Sequence, residues 1–283
     1  VLGQAASPQD YGHILPATDR ILDDACTLLA GLRMEMDESR LAGHISLPLR
    51  DLRTLLEAAS FVDEQGQPRP EQVRGFLEAG RPQALLQLAT AWLNSTTCND
   101  LRLLPGLIFE GEWRNDPLQT RNRVLNLLRQ LPAEVWWDLN AFIAAVKQEQ
   151  PDFQRPAGDY DSWFIRRASD NQYLRGFECW EEVDGALLHY LITAPLHWLG
   201  IMDLASRDSS SPPLAFRFSR WAADLLSGKP PSSANPEDGI IRINSEGILQ
   251  IERSAPRSLR YQLARFCEWL PLRDEVYVYQ ITA

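Results

Sequence analysis

DYDSWFIRRASDNQYLRGFECWEEVDGALLHYLITAPLHWLGIMDL, residues 159–204, holds three of the nine tryptophans, two of the four histidines and one of the four cysteines. Its lead-in, rich in aromatics and arginine, is irregular. From Trp180 the apolar residues Val183, Leu187, Tyr190 and Leu191 recur on one side, which predicts a helix over 180–193. Pro195 ends that helix. Trp198–Leu204 then reads as a strand, Ser206–Pro213 as a polar turn and Leu214–Phe218 as the returning strand. A helix followed by a β-hairpin is the second half of a winged helix, so the residues before it should supply two more helices.

They do. Leu118, Val124, Leu125, Leu128 and Leu131 mark a helix closed by Pro132, and Asp138 is placed to cap another carrying Leu139, Phe142, Ile143 and Val146. After the hairpin, Ser219 caps a short helix ending at Gly228. Residues 116–228 are therefore expected to be a winged-helix domain.

Working toward the N-terminus, Thr18 is placed to cap a helix with Ile21, Ala25, Leu28, Leu29 and Leu32 on one face. A second helix has Pro48 in its first turn and Leu49, Leu52, Leu55 and Leu56 on its apolar side. Residues 61–68 read as a short strand turning at Gly66, and Pro70 and Pro82 open two more helices. Residues 95–116 read as a connector. Residues 1–115 are thus expected to form a helical, winged-helix-like unit.

Toward the C-terminus, SGKPPSSANPED (227–238) has linker composition. Beyond it, Ile240–Ile243 and Ile248–Ile251 flank a turn, a helix is expected over about 258–269, and Val276–Ile281 forms a last strand. This ββαβ piece, 229–283, is small for an independent core: either it packs on the 116–228 domain or it is the start of a further module, which the closing strand, apolar on both faces, favours. The first residue is Val1, so a longer parent chain is expected. The fold class that results is α+β, mostly α: tandem winged-helix-like units with a partial C-terminal ββαβ module.

Tyr160-Asp161-Ser162-Trp163, Tyr173-Leu174-Arg175-Gly176-Phe177-Glu178, Trp180 and Pro195-Leu196-His197-Trp198-Leu199-Gly200 resemble a group of large bacterial proteins described as helicase-associated. Their later region is similar to the N-terminal domain of XPB-type DNA repair helicases. IRINSEGILQIER and the following RYQLARFCEW look like the entry to that helicase-type domain. The resemblance spans about residues 115–283. It implies tandem winged helices ahead of a helicase accessory domain, with no ATPase motor in this chain.

Composition narrows the function further. Lys plus Arg is 28 against 38 Asp plus Glu, a net charge of −10, which opposes a non-specific hold on phosphate backbones. Only Lys147 and Lys229 are lysines, so the positive charge is almost all arginine, suited to bidentate contacts. There is no run of apolar residues long enough to span a bilayer and no N-terminal signal pattern, so a cytoplasmic protein without membrane contact is expected. Cys26, Cys98, Cys179 and Cys267 form no CxxC pair and read as buried free thiols. GxxxxGK[ST], GxSxG, HExxH and GxGxxG are all absent.

No catalytic constellation therefore stands out, and no enzyme, cofactor, metal or small-molecule substrate is expected. Asp159 and Asp161 read as capping or solvated carboxylates, Glu181, Glu182 and Asp184 as complements to a helix start, and His189 and His197 as hydrogen-bonded structural residues. What remains is Arg166, Arg167 and Arg175, interleaved with Trp163, Phe164 and Tyr173, a composition able to meet phosphates and stack bases. Arg207 and Arg217 on the wing join them as candidate nucleic-acid contacts. The expected function is a non-enzymatic nucleic-acid-associated module working with a helicase, with DNA and a helicase or other protein as partners. The alternative is a winged-helix scaffold for protein–protein assembly, which the charge and the acidic start of helix 180–193 support.

Overall fold

The hairpin expected over residues 198–218 is present and organises a sheet. In the computed structural model, which describes residues 2–7, 9–232, 236–273 and 276–281, the chain is an α+β protein built from helices and antiparallel sheets. The elements begin with β1 (His13–Leu15), α1 (Ile21–Arg33), α2 (Glu38–Ala42), α3 (Leu49–Ala58), α4 (Pro70–Glu78) and α5 (Arg81–Asn94). Next are α6 (Asp100–Leu103), β2 (Leu107–Glu110), α7 (Pro117–Leu128), β3 (Trp137–Asp138), α8 (Leu139–Glu149) and β4 (Phe164–Arg167). A 3-10 turn and a π-helical turn (Glu181–Gly185) lead into α9 (Ala186–Thr193), α10 (Pro195–Trp198), β5 (Met202–Ser206), β6 (Pro213–Phe218) and α11 (Ala222–Leu226). The chain closes with β7 (Ile241–Ile243), β8 (Ile248–Glu252), α12 (Arg257–Ala264), β9 (Cys267–Arg273) and β10 (Val276–Ile281).

Two compact units result, and neither is continuous in sequence. The first joins Val1–Thr18 to Leu93–Ala222; the second joins Asp19–Trp92 to Ala223–Ala283. The boundaries read from composition, near 115 and 228, do not coincide with these units.

In the first unit the helix starts follow local chemistry. Asp116 Oδ1 accepts the Gln119 N–H at 2.8 Å ahead of Pro117 at the first helical position, and Asp138 Oδ1 accepts the Ala141 N–H at 2.7 Å. Replacing Asp138 by Ala should cost about 1 kcal/mol of stability, read from the urea midpoint. The hairpin pairs Leu204 with Phe216, and the four-stranded sheet runs β1-β5-β6-β3. Phe142 of α8 meets Phe216 edge-on at 5.5 Å, so α8 closes one face of the sheet. Trp198 is helical rather than the first strand residue. Pro195 ends α9 but also sets φ for a new turn, α10, and β5 begins only after Gly200, whose φ of +83° reverses the chain. Residues 95–116 hold more than a connector: α6 lies there, and β2 pairs with β4.

In the second unit the C-terminal module is ββαββ, not ββαβ. The helix expected to reach Trp269 ends at Ala264, and Cys267–Arg273 forms β9, giving the order β7-β8-β10-β9. Trp269 is held in the strand: it pairs with Tyr279, its Nε1–H donates to the Ala264 carbonyl at 2.7 Å and its ring meets the Tyr279 ring edge-on at 6.2 Å. A module of this size buries little alone, and here α12 packs on α1 and α4. Asp19 and Asp23 at the start of α1, Arg81 of α5, the partly exposed Arg253 and the buried Arg260 of α12 form an ionic cluster that joins the two sequence segments, and Glu237 links Arg81 to Arg257 at its margin.

Candidate nucleic-acid interface

The lead-in Trp163–Arg175 folds as a ribbon. β4 pairs antiparallel with β2, placing Glu110 opposite Phe164 and Ile108 opposite Arg166. The chain then turns through Asn171, at φ +59°, and returns along β4: the Arg167 N–H donates to the Gln172 carbonyl and the Leu174 N–H to the Ile165 carbonyl, both at 2.9 Å. Asn tolerates this left-handed turn where most residues do not.

Strand alternation sorts the side chains. Ile165 and Leu174 are buried on the inner face. Glu110, Phe164, Arg166 and Tyr173 share the outer face, where Phe164 and Tyr173 are 41% and 48% exposed. Their rings meet edge-on at 6.4 Å, and the Arg175 guanidinium lies 4.8 Å from one centroid and 5.3 Å from the other.

The five arginines expected to bind nucleic acid divide into two groups. Arg166 forms an ion pair with Glu110 and donates to Asn171 Oδ1 at 2.8 Å. Arg167 is a bidentate donor to Glu182, at 2.7 and 2.8 Å, and also pairs with Asp170. Arg217 pairs with Asp203 at 3.1 Å and covers the Trp136 ring. These three are neutralised within the fold. Arg175 and Arg207 are exposed, with no carboxylate partner among the described residues. Nothing in the sequence singles out Glu110; only strand pairing puts it beside Phe164. It accepts from Arg166 and from the Tyr173 hydroxyl, hydrogen bonds that hold its carboxyl below the usual range and push the Tyr173 phenol up.

Beneath the ribbon, Trp113 and Trp163 stack at 4.8 Å with 15° between planes, Arg102 covers Trp113 and Arg155 covers Trp163 at 4.3 Å. This ladder supports β2 and β4 from a segment that sequence periodicity does not reveal.

Helix α9, which the sequence leads one to expect at a groove-reading position, has no exposed residue. It packs against α6, α8 and β5, with Leu187, Leu188, Leu191 and Ile192 buried. Burial keeps the His189 and His197 imidazoles below the ordinary histidine value, and His197 Nδ1 lies 2.9 Å from the Met202 carbonyl. Asp159 accepts from the Ser162 N–H at 3.0 Å and from its hydroxyl at 2.5 Å, the geometry of a capping turn. Asp184, expected to complement a helix start, lies on the π-helical turn as a fully buried partner of Arg155. Among the described residues no group of three or more His, Cys, Asp or Glu side chains could hold a metal, and no helix is long and apolar enough to cross a membrane.

The sequence matches no known family model and no curated protein.

Proposed function

We propose that the chain is a non-enzymatic, winged-helix-like accessory of a nucleic-acid transaction, working with a helicase, and that it holds single-stranded nucleic acid on the outer face of the β2–β4 ribbon. One observation carries the reading: two exposed aromatic rings share a face with an arginine that has no carboxylate partner among the described residues. Bases stack on such rings without regard to sequence, at about 1–3 kcal/mol each, while the guanidinium meets the backbone. The order α7, β3, α8, α9, β5, β6, with β3 pairing onto β6, supports the winged-helix reading. Burial of α9 argues against major-groove insertion, which needs an accessible helix. Duplex should therefore bind less well than a single strand.

Fluorescence anisotropy with single-stranded, duplex and forked DNA at about 50 mM salt tests this, where phosphate contacts are least screened. The triple variant Phe164→Ala, Tyr173→Ala, Arg175→Ala is expected to bind a single strand about 30-fold or more weaker, since loss of even one stacked base and one contact exceeds about 2 kcal/mol in the favourable case. Unchanged affinity in the triple variant, or no binding by the native chain, overturns the ribbon assignment. A second reading, a scaffold for protein assembly, is favoured by the internal pairing of Arg166, Arg167 and Arg217. It predicts that the same triple variant loses a protein partner while the native chain ignores DNA.

A further inference from the structure

The second unit contains a cavity of about 210 Å³ between the end of α1, the α4 segment and α12. We propose that it binds a phosphate monoester of a sugar or nucleoside. Arg33, Arg74 and Arg265 line it, together with the hydroxyls of Ser258 and Tyr261, while one wall is apolar, from prolines and aliphatic side chains of the α4 segment. Glu78 is the single carboxylate among the lining residues.

The donors are left free in the way an anion site requires. The Tyr261 ring is buried while its hydroxyl stays open to the cavity with no hydrogen-bond partner among the described residues; the half-buried Ser258 hydroxyl and the exposed Arg33 guanidinium likewise have none. Among the described residues Arg74 is paired with Glu71, an exposed i,i+3 pair at 3.0 Å that contributes little. Arg265 donates to Gln262 Oε1 at 3.1 Å and lies 5.9 Å from the centre of the Tyr261 ring. Burial pushes the Tyr261 phenol up, and the charges of Arg265 and Arg33 oppose that shift.

Three guanidinium groups and two hydroxyl donors exceed what the two oxygens of a carboxylate accept. They suit the three terminal oxygens of a phosphate monoester. The apolar wall suits the body that carries the ester, and Glu78 offers an acceptor to one of its hydroxyls. The site lies wholly in the second unit and is independent of the ribbon reading.

Isothermal titration calorimetry with 5′-AMP, and with adenosine as the phosphate-free control, tests the proposal on the intact chain. A dissociation constant on the order of 10⁻⁴ M is expected for 5′-AMP, with adenosine at least about tenfold weaker. Arg33→Gln should weaken 5′-AMP about tenfold and Tyr261→Phe about threefold. Both variants should melt with the native protein, because neither side chain has a hydrogen-bond partner to lose among the described residues. A 5′-phosphorylated oligonucleotide that competes with 5′-AMP better than its 5′-hydroxyl form assigns the phosphate to a strand end; equal competition assigns it to a free small molecule. Equal binding of 5′-AMP and adenosine, 5′-AMP affinity untouched by both substitutions, or no heat at about 10 mM ligand, where even weak phosphate sites fill, overturns the proposal.

Discussion

Replacing Arg81 by Ala should lower the stability of the second unit by about 3–5 kcal/mol, because it leaves two carboxylates dehydrated without their main partner. Arg81 Nε donates to Asp19 Oδ2 at 2.6 Å, and Nη2 donates to Asp23 Oδ2 at 2.7 Å and to the Asp19 carbonyl at 3.2 Å. All three side chains are almost inaccessible, at 1%, 5% and 2% exposure. Arg253 at 3.0 and 2.8 Å, and Arg260 at 3.4 Å, remain as secondary partners, so the lower part of that range is expected. Urea unfolding at neutral pH measures the difference, with Arg74→Ala as the exposed-pair control, expected within about 0.5 kcal/mol of the native chain. An Arg81→Ala loss below about 1 kcal/mol would mean that water reaches the cluster.

The same cluster sets an acid response. Burial by itself raises the Asp19 carboxyl, but the hydrogen bonds and charges of Arg81 and Arg253 together outweigh it and hold the group below the ordinary aspartate value. A carboxylate lowered in the folded state contributes stability that is complete above the unfolded value and disappears as pH falls through the folded one. Stability from Asp19 should therefore fade below about pH 4. Arg81→Ala should remove most of that slope.

Asp184→Ala in the first unit carries a comparable expected loss of about 3–5 kcal/mol. Asp184 is fully buried on the π-helical turn, where Oδ1 accepts from Arg155 Nε at 3.0 Å and from Gln154 Nε2 at 2.7 Å. Without it the Arg155 charge is stranded inside the unit. Arg155 also lies over Trp163, which stacks on Trp113, so the loss should reach the ribbon through that ladder. Near-UV circular dichroism is the direct readout, and the aromatic signal should fall before the helical one. If only the far-UV signal changed, the ladder would be independent of the ion pair.

The pH dependence of Asp184 has the opposite sign to that of Asp19. Burial raises its carboxyl above the ordinary aspartate value despite Arg155, so the pH-linked part of its contribution is complete below the unfolded value and is lost as pH rises through the folded one, while the pairing of Asp184 with Arg155 still offsets the buried guanidinium charge. Asp184→Asn keeps an acceptor for Arg155 and removes the charge. It should destabilise less than Asp184→Ala and flatten the stability change above about pH 4.

The candidate site is partly legible in the amino-acid sequence. Trp163, Phe164, Tyr173 and the arginines near them stand out because aromatic and cationic residues alternate there. Of the partners that neutralise Arg167, Asp170 is close enough in sequence to be anticipated, but Glu182 is not, and Glu110, which neutralises Arg166, lies 56 residues away. Which arginines remain free, Arg175 and Arg207, depends on those distant carboxylates. The pocket of Arg33, Ser258 and Tyr261 leaves no trace in the sequence, since it joins residues from opposite ends of the chain.

Local sequence is enough to set the helix starts at Asp116, Asp138, Pro70 and Pro117, the apolar faces of α1, α3, α7 and α8, and the β5–β6 hairpin, because capping, proline geometry and turn formation act over a few residues. The strands β2, β3 and β9, the burial of α9 and the make-up of the two units depend instead on the assembled fold. A strand of two to seven residues has no stable form until a partner satisfies its backbone, and Leu107 finds Arg167 only through tertiary pairing. The buried cluster follows the same rule on a longer scale: Arg253 meets Asp19 across 234 residues, and no pattern within either segment specifies that pairing.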